Sequence, residues 1–173
     1  MTGPTYTADG RLDFPKAYRR WIYLSSGMDM SYVPGATPGR SAFDNVFVNP
    51  EAYEAFLTSG TWPDKTVLVL EVRRADQSGS INKNGHYQSD VLHTEVHVRD
   101  VARLGGWGFF GFGDDAPAVM IARSADCYSC HLDHGAVDTT FVQFYPTLLP
   151  MARAKKTLSG GYLADLAGGT VPN

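Results

Sequence analysis

Long apolar runs, clustered positive charge and cysteine are all scarce in this sequence, and each scarcity excludes something. No stretch approaches the roughly 20 consecutive apolar residues that cross a bilayer, so no membrane span is expected. Lys and Arg number 15 against 18 Asp and Glu, for a net charge of -3, and the basic residues nowhere form a block. The electrostatic footprint of a nucleic-acid binder is therefore missing. The chain has no internal repeat and no low-complexity linker. The N-terminus, Met1-Thr2-Gly3-Pro4, lacks the basic segment and apolar stretch of a secretory signal. Cysteine occurs only at Cys127 and Cys130, two ligands short of a four-cysteine zinc site.

What is present describes a folded globular chain. Apolar residues make up 43% and charged residues 19% of 173, which fits one domain, 1–173, with a core of its own. Residues 1–13 read as a lead-in, and the Gly-rich 159–173 as a loosely held C-terminal tail. A short helix is expected near Pro15. A better one is expected over Asn49 to Leu57, with Asn as cap, Pro next, Glu51 in the first turn and Gly60 beyond its end. Thr66 to Val72 is β-branched and continuous enough for a buried strand. Turn residues fill Ser78 to Gly85, and strands are expected again over Tyr87–Val98 and Trp107–Phe112. Helical signals return around the cysteines and from about Phe141 to Lys156. The fold class expected is α+β, a predominantly antiparallel β-sheet with flanking helices and a helix carrying the cysteines near the C-terminus.

Cys127-Tyr128-Ser129-Cys130-His131 uses both cysteines of the chain in a C-x-x-C-H pattern. Two thiols one helical turn apart can each add to a vinyl group on one porphyrin edge, and the adjacent His then lies beneath the macrocycle within reach of iron. A thioredoxin-type redox pair would want a βαβ context and usually lacks the His. A disulfide between the two would close a small, strained loop. The reading adopted is one covalent haem c, held through Cys127 and Cys130, with His131 as the iron ligand. Haem of this type is normally attached on the oxidising side of a membrane, so a periplasmic protein whose export signal has been removed is expected.

The position opposite His131 decides what the haem does, because a sixth protein ligand gives an electron carrier and an open position admits gases or substrates. Met28, Met30, Met120, Met151, His86, His93, His97 and His134 are candidates, none in a telling motif. His134 is three residues beyond His131 on the same helical side, which turns it away from the opposite haem face. An open, five-coordinate site is expected.

The chain resembles the family of cytochrome P-460 and cytochrome c-prime-beta from about Phe14 to Pro150. The resemblance runs through Phe14 to Trp21, Phe47 to Tyr53, Gly85-His86-Tyr87-Gln88, Glu95 to Asp100, Gly106 to Phe112, the haem motif and Phe141 to Pro146. It implies an antiparallel β fold, a homodimer, and a five-coordinate haem, with a redox partner protein not identified by the sequence. The P-460 type cross-links a lysine to the porphyrin and oxidises hydroxylamine, whereas the c-prime-beta type lacks the cross-link and binds nitric oxide or carbon monoxide.

Leu70 stands where the resemblance would place the cross-linking lysine, and Lys65 and Lys83 would need a shifted register to replace it. Glu95 matches the family's pocket carboxylate. His93, Glu95 and His97 share one strand face, and Thr94, Val96 and Val98 the other. A carboxylate buried there would hold its proton more tightly and pass it to a bound ligand, which makes Glu95 the candidate catalytic residue. Phe43 is the candidate aromatic of the distal face, and Phe47, Phe56, Trp107, Phe109, Phe110, Phe112, Phe141 and Phe144 are further aromatics from which a haem crevice could be lined, most of them expected in the ordinary core. The function expected first is binding of a small gaseous ligand. Oxidation of a nitrogenous substrate such as hydroxylamine (or a weak peroxidase activity) and simple electron transfer are the alternatives.

Overall fold

The computed structural model describes residues 2–31 and 41–169. Five strands form one antiparallel meander in sequence order. They are β1 (Ile22–Met28), β2 (Ala42–Val48), β3 (Val67–Asp76), β4 (Tyr87–Asp100) and β5 (Gly106–Phe112). The helices are α1 (Pro50–Ser59), α2 (Val101–Leu104), α3 (Asp126–His134), α4 (Leu149–Lys155) and α5 (Gly160–Ala167). This is the expected α+β arrangement.

Central β3 is buried on both faces, which is why its sequence reads as a nearly unbroken apolar run. Its odd-numbered Val67 and Val69 join Leu12, Tyr18, Val96, Val98, Phe110 and Phe112 in one core. Its even-numbered Leu68 faces the other core, built with Phe56, Trp62, Val142, Leu148 and Tyr162 from the helical side. The sheet therefore separates two apolar layers, and each fully buried large side chain contributes about 1.5–3 kcal/mol.

β1 and β2 carry no clear strand signal. β1 contains Ser25, Ser26 and Gly27, and β2 holds Asp44 and Asn45, residue types depleted in strands. Tertiary bonding compensates, since buried Asn45 accepts from Ser26 Oγ at 2.9 Å and donates to Gln88 at 2.6 Å. The helix expected over 49–57 forms, with Gly60 closing it at φ 75°. Asn49 is not a side-chain cap, however: its Oδ1 accepts the Val67 N–H at 2.8 Å and ties the helix start to β3.

The helix expected near Pro15 is a single 3-10 turn, Tyr18–Arg20. The one expected from Phe141 is broken into a 3-10 turn, Val142–Phe144, and α4, because Tyr145 precedes Pro146 and adopts extended backbone. The expected loose tail is corrected for most of its length. Ser159 Oγ accepts the Tyr162 N–H at 3.1 Å, α5 follows, and Tyr162 is 1% exposed. Gly161 lies so close to the Asp133 carbonyl that a Cβ would overlap it, so that glycine serves packing rather than looseness. Residues 170–173 lie outside the described residues.

Candidate haem site

In α3 the positions of Cys127, Cys130 and His131 are spaced i, i+3 and i+4, which puts all three on one helix face. The two thiols are free and half-buried, and burial pushes the Cys130 thiol up. Several contacts fix the helix. The Tyr128 hydroxyl accepts the Phe109 N–H at 3.2 Å and donates to the Ile121 carbonyl at 3.0 Å. At the far end Gln143 donates to the His134 carbonyl at 2.7 Å, and His134 Nδ1 meets Asp165 of α5 at 2.8 Å.

His131 Nδ1 lies 2.8 Å from the Thr139 carbonyl oxygen. A carbonyl only accepts, so the proton sits on Nδ1 and the Nε2 lone pair is left for a metal. Burial pushes the imidazole below the ordinary His range, against smaller upward contributions from the Thr139 bond and the charge of Glu95. The neutral form is the one that ligates. Its ring is packed 4.1 Å from Phe141 and 4.6 Å from Phe109, centroid to centroid.

His97 belongs to the same structure. It is stacked on Phe109 at 3.9 Å and lies 4.4 Å from Trp107, while its Nε2 meets Thr139 Oγ1 at 3.3 Å. Burial, with the charge of His131 adding to it, holds it well below the ordinary His range. Its one bonded nitrogen is thus spent on the residue that orients His131, and its ring lies 5.4 Å from that of His131, so His97 braces His131 from beside it.

The cleft beside His131 is open at its mouth and has about 870 Å³ of empty space with that mouth included. One wall is the sheet. Across the strands, Ser25, Val46, Leu70 and Glu95 form one row, and Gly27, Asp44, Val72 and His93 the next. The opposite wall brings Phe141, Phe144 and Tyr145. A hollow lined by Cys127 adjoins it and shares Glu95, Phe109 and His131. Free thiols one turn apart, a neutral imidazole with an available Nε2 and an apolar cleft beside them fit a covalently attached haem. Cys127 and Cys130 would hold the porphyrin and His131 the iron.

Leu70, Glu95 and His131 therefore converge on one cleft, and the expected division of faces along β4 is found. Two expectations are corrected. Phe43 pairs with Met28 and Arg73 and shares the opposite sheet face with Asn45 and Phe47, because side chains alternate along β2; the cleft residues of that strand are Asp44 and Val46. Glu95 sits in the cleft wall, yet its side chain is 55% exposed and lies 3.3 Å from His93 Nε2, so the buried setting expected for it is not found.

Neither lysine substitutes for Leu70. Lys65 bonds Asp100 at the far end of β3, and Lys83 is exposed in the β3–β4 connection. Of the possible sixth ligands, Met30 lines the cleft, whereas His86 bonds Gln77 and Met151 packs against the helical core. Sequence reasoning missed Asp44 and Thr139. An aspartate between Phe43 and Val46 is a signal in retrospect, but Thr139 meets His131 through its backbone carbonyl, which no residue type marks.

No curated protein matches the chain significantly. The family model described as Cytochrome P460 matches residues 15–142, a span that includes β1 to β5 and the whole of α3. With most of its length covered by that match, the chain belongs to the cytochrome P460 family.

Proposed function

We propose that this family member carries one haem c per chain, five-coordinate on His131, and binds small gaseous ligands such as nitric oxide or carbon monoxide. The observation that carries the reading is Leu70 at the centre of the cleft wall, flanked by Val46 and Leu68, with no lysine among the described lining residues. When bound, the haem supplies the iron at which such a ligand sits. The protein supplies the neutral imidazole and the apolar wall. The apolar wall of Val46, Leu68 and Leu70 favours neutral diatomics over polar adducts.

Two other readings have support of their own. Met30 in the same cleft would favour a six-coordinate electron carrier. Hydroxylamine oxidation of the P-460 type is favoured by Glu95 in the wall and disfavoured by Leu70. Covalent haem attachment also argues for a periplasmic location, and the family resemblance for a homodimer and a redox partner protein.

The test is the optical spectrum of the haem-loaded protein, ferric, ferrous, and ferrous with nitric oxide. The gas-binding reading expects an ordinary high-spin c-type spectrum that changes on adding nitric oxide. A strongly red-shifted ferrous Soret band would move hydroxylamine oxidation to first place. A low-spin spectrum unaltered by the gas would favour Met30 as the sixth ligand.

A further inference from the structure

We propose that Asp44 is a second proton-accepting carboxylate of the haem cleft, acting beside Glu95 on a ligand that carries an N–H or O–H proton. The inference rests on the haem reading of the cleft and adds to it a residue that the sequence did not single out.

Asp44 points from β2 into the same cleft as Leu70 and His131. The register places it in one row with Val72 and His93, directly beside the row of Val46, Leu70 and Glu95. The sheet wall is thus apolar at Val46, Leu68 and Leu70 and acidic at one corner. Three charged groups face Asp44: Glu95 and His93 from β4, and Asp29 just beyond β1. All three already have partners. Asp29 accepts from Ser41 Oγ and the Ala42 N–H, both at 2.9 Å, and Glu95 lies against His93. Among the described residues nothing donates a hydrogen bond to Asp44.

A half-buried carboxylate without a donor is costly unless something else uses it. Its neighbours Val46 and Val72 show that the position could have been apolar. Burial holds the Asp44 carboxyl above the usual aspartate range, and the negative charges of Glu95 and Asp29 act in the same direction while His93 opposes them. In that setting a proton leaving the ligand's N–H or O–H ends on an Oδ of Asp44. A bare diatomic has no proton to give, and on it the pair acts only as a negative field.

The experiment uses the haem-loaded protein and its Asp44→Asn and Glu95→Gln variants. The primary reading is the haem midpoint potential against pH, which needs no added ligand. The potential of the unaltered protein is expected to bend with pH where Asp44 titrates, and Asp44→Asn is expected to remove that bend while Glu95→Gln leaves it displaced. The second reading is the C–O stretch of the ferrous carbon monoxide complex, expected to shift with pH in the unaltered protein and to lose most of that shift in Asp44→Asn. Potential–pH curves that superimpose for the unaltered protein and Asp44→Asn would overturn the proposal. Failure of carbon monoxide to bind at all would count against the open-site reading instead, and the potentials would still decide the role of Asp44.

Discussion

The proton on His131 Nδ1 is committed to the Thr139 carbonyl, and that bond decides which ring nitrogen is left for iron. His97 steadies the same residue through Thr139 Oγ1 while stacking on Phe109, so three side chains and one carbonyl set the ligand's orientation. Removing the imidazole separates attachment from ligation. His131→Ala should retain haem on Cys127 and Cys130 but lose the ligand field of a nitrogen base, read as an altered ferrous spectrum with unchanged haem content. Tyr128, between the cysteines, holds the helix to β5 through its hydroxyl. Tyr128→Phe leaves the Phe109 N–H and the Ile121 carbonyl without that partner and should destabilise the fold by about 1–2 kcal/mol in a denaturant titration. The C-x-x-C-H pattern was legible because thioether chemistry fixes its spacing. The roles of Thr139 and Asp44 were not, because one is a backbone atom and the other depends on which face of β2 meets the cleft.

Among the elements, strands with a strong pattern were legible and strands built on polar contacts were not. β3 announces itself by burial on both faces, and β4 by alternation that correctly separates Glu95 from Thr94 and Val96. β2 has no such alternation, and the assignment of Phe43 to the cleft failed by the one-residue parity that flips every side chain of a strand. Glycine misled at the C-terminus. Gly160 and Gly161 suggested looseness, yet α5 packs on α3 through Gly161, buried Tyr162 and the Asp165–His134 contact. Gly161→Ala would drive a methyl into the Asp133 carbonyl and should cost about 1–3 kcal/mol. That corresponds to a fall of roughly 2–4 °C in melting temperature per kcal/mol for a chain of this size. An unchanged melting temperature would mean that α5 is not pressed against α3.

At the scale of the molecule, the sheet carries the cleft beside His131 on one face and a buried ionic cluster on the other. Glu71, 3% exposed, accepts from Arg19 Nε at 2.7 Å, from Arg73 Nε at 2.5 Å and from the Tyr18 hydroxyl. Burial would raise its proton affinity, but the bonds from Arg73, Tyr18 and Arg19 outweigh it and hold the carboxyl below the usual glutamate range. A carboxyl lowered on folding adds stability above its unfolded value of 4.5, and that stability is lost as pH falls through the folded value. The stability gap between the unaltered protein and Glu71→Gln should therefore be widest near neutral pH and narrow on acidification below that value, measured by chemical denaturation at a series of pH values. A gap independent of pH would remove Glu71 as an ionised anchor.

The antiparallel α+β plan and a helix over the two cysteines were readable from patterning and one motif. The second core layer around Trp62, Leu148 and Tyr162 was not, because it joins segments that share no local pattern. The claim on which the rest stands is that Cys127 and Cys130 hold the haem covalently. It is tested by denaturing the protein after its maturation in a host that attaches c-type haem, extracting with acidified solvent, and measuring intact mass. Covalent attachment predicts one haem retained per chain and none in a Cys127→Ala/Cys130→Ala variant. Haem that leaves the unaltered protein into the solvent would contradict it.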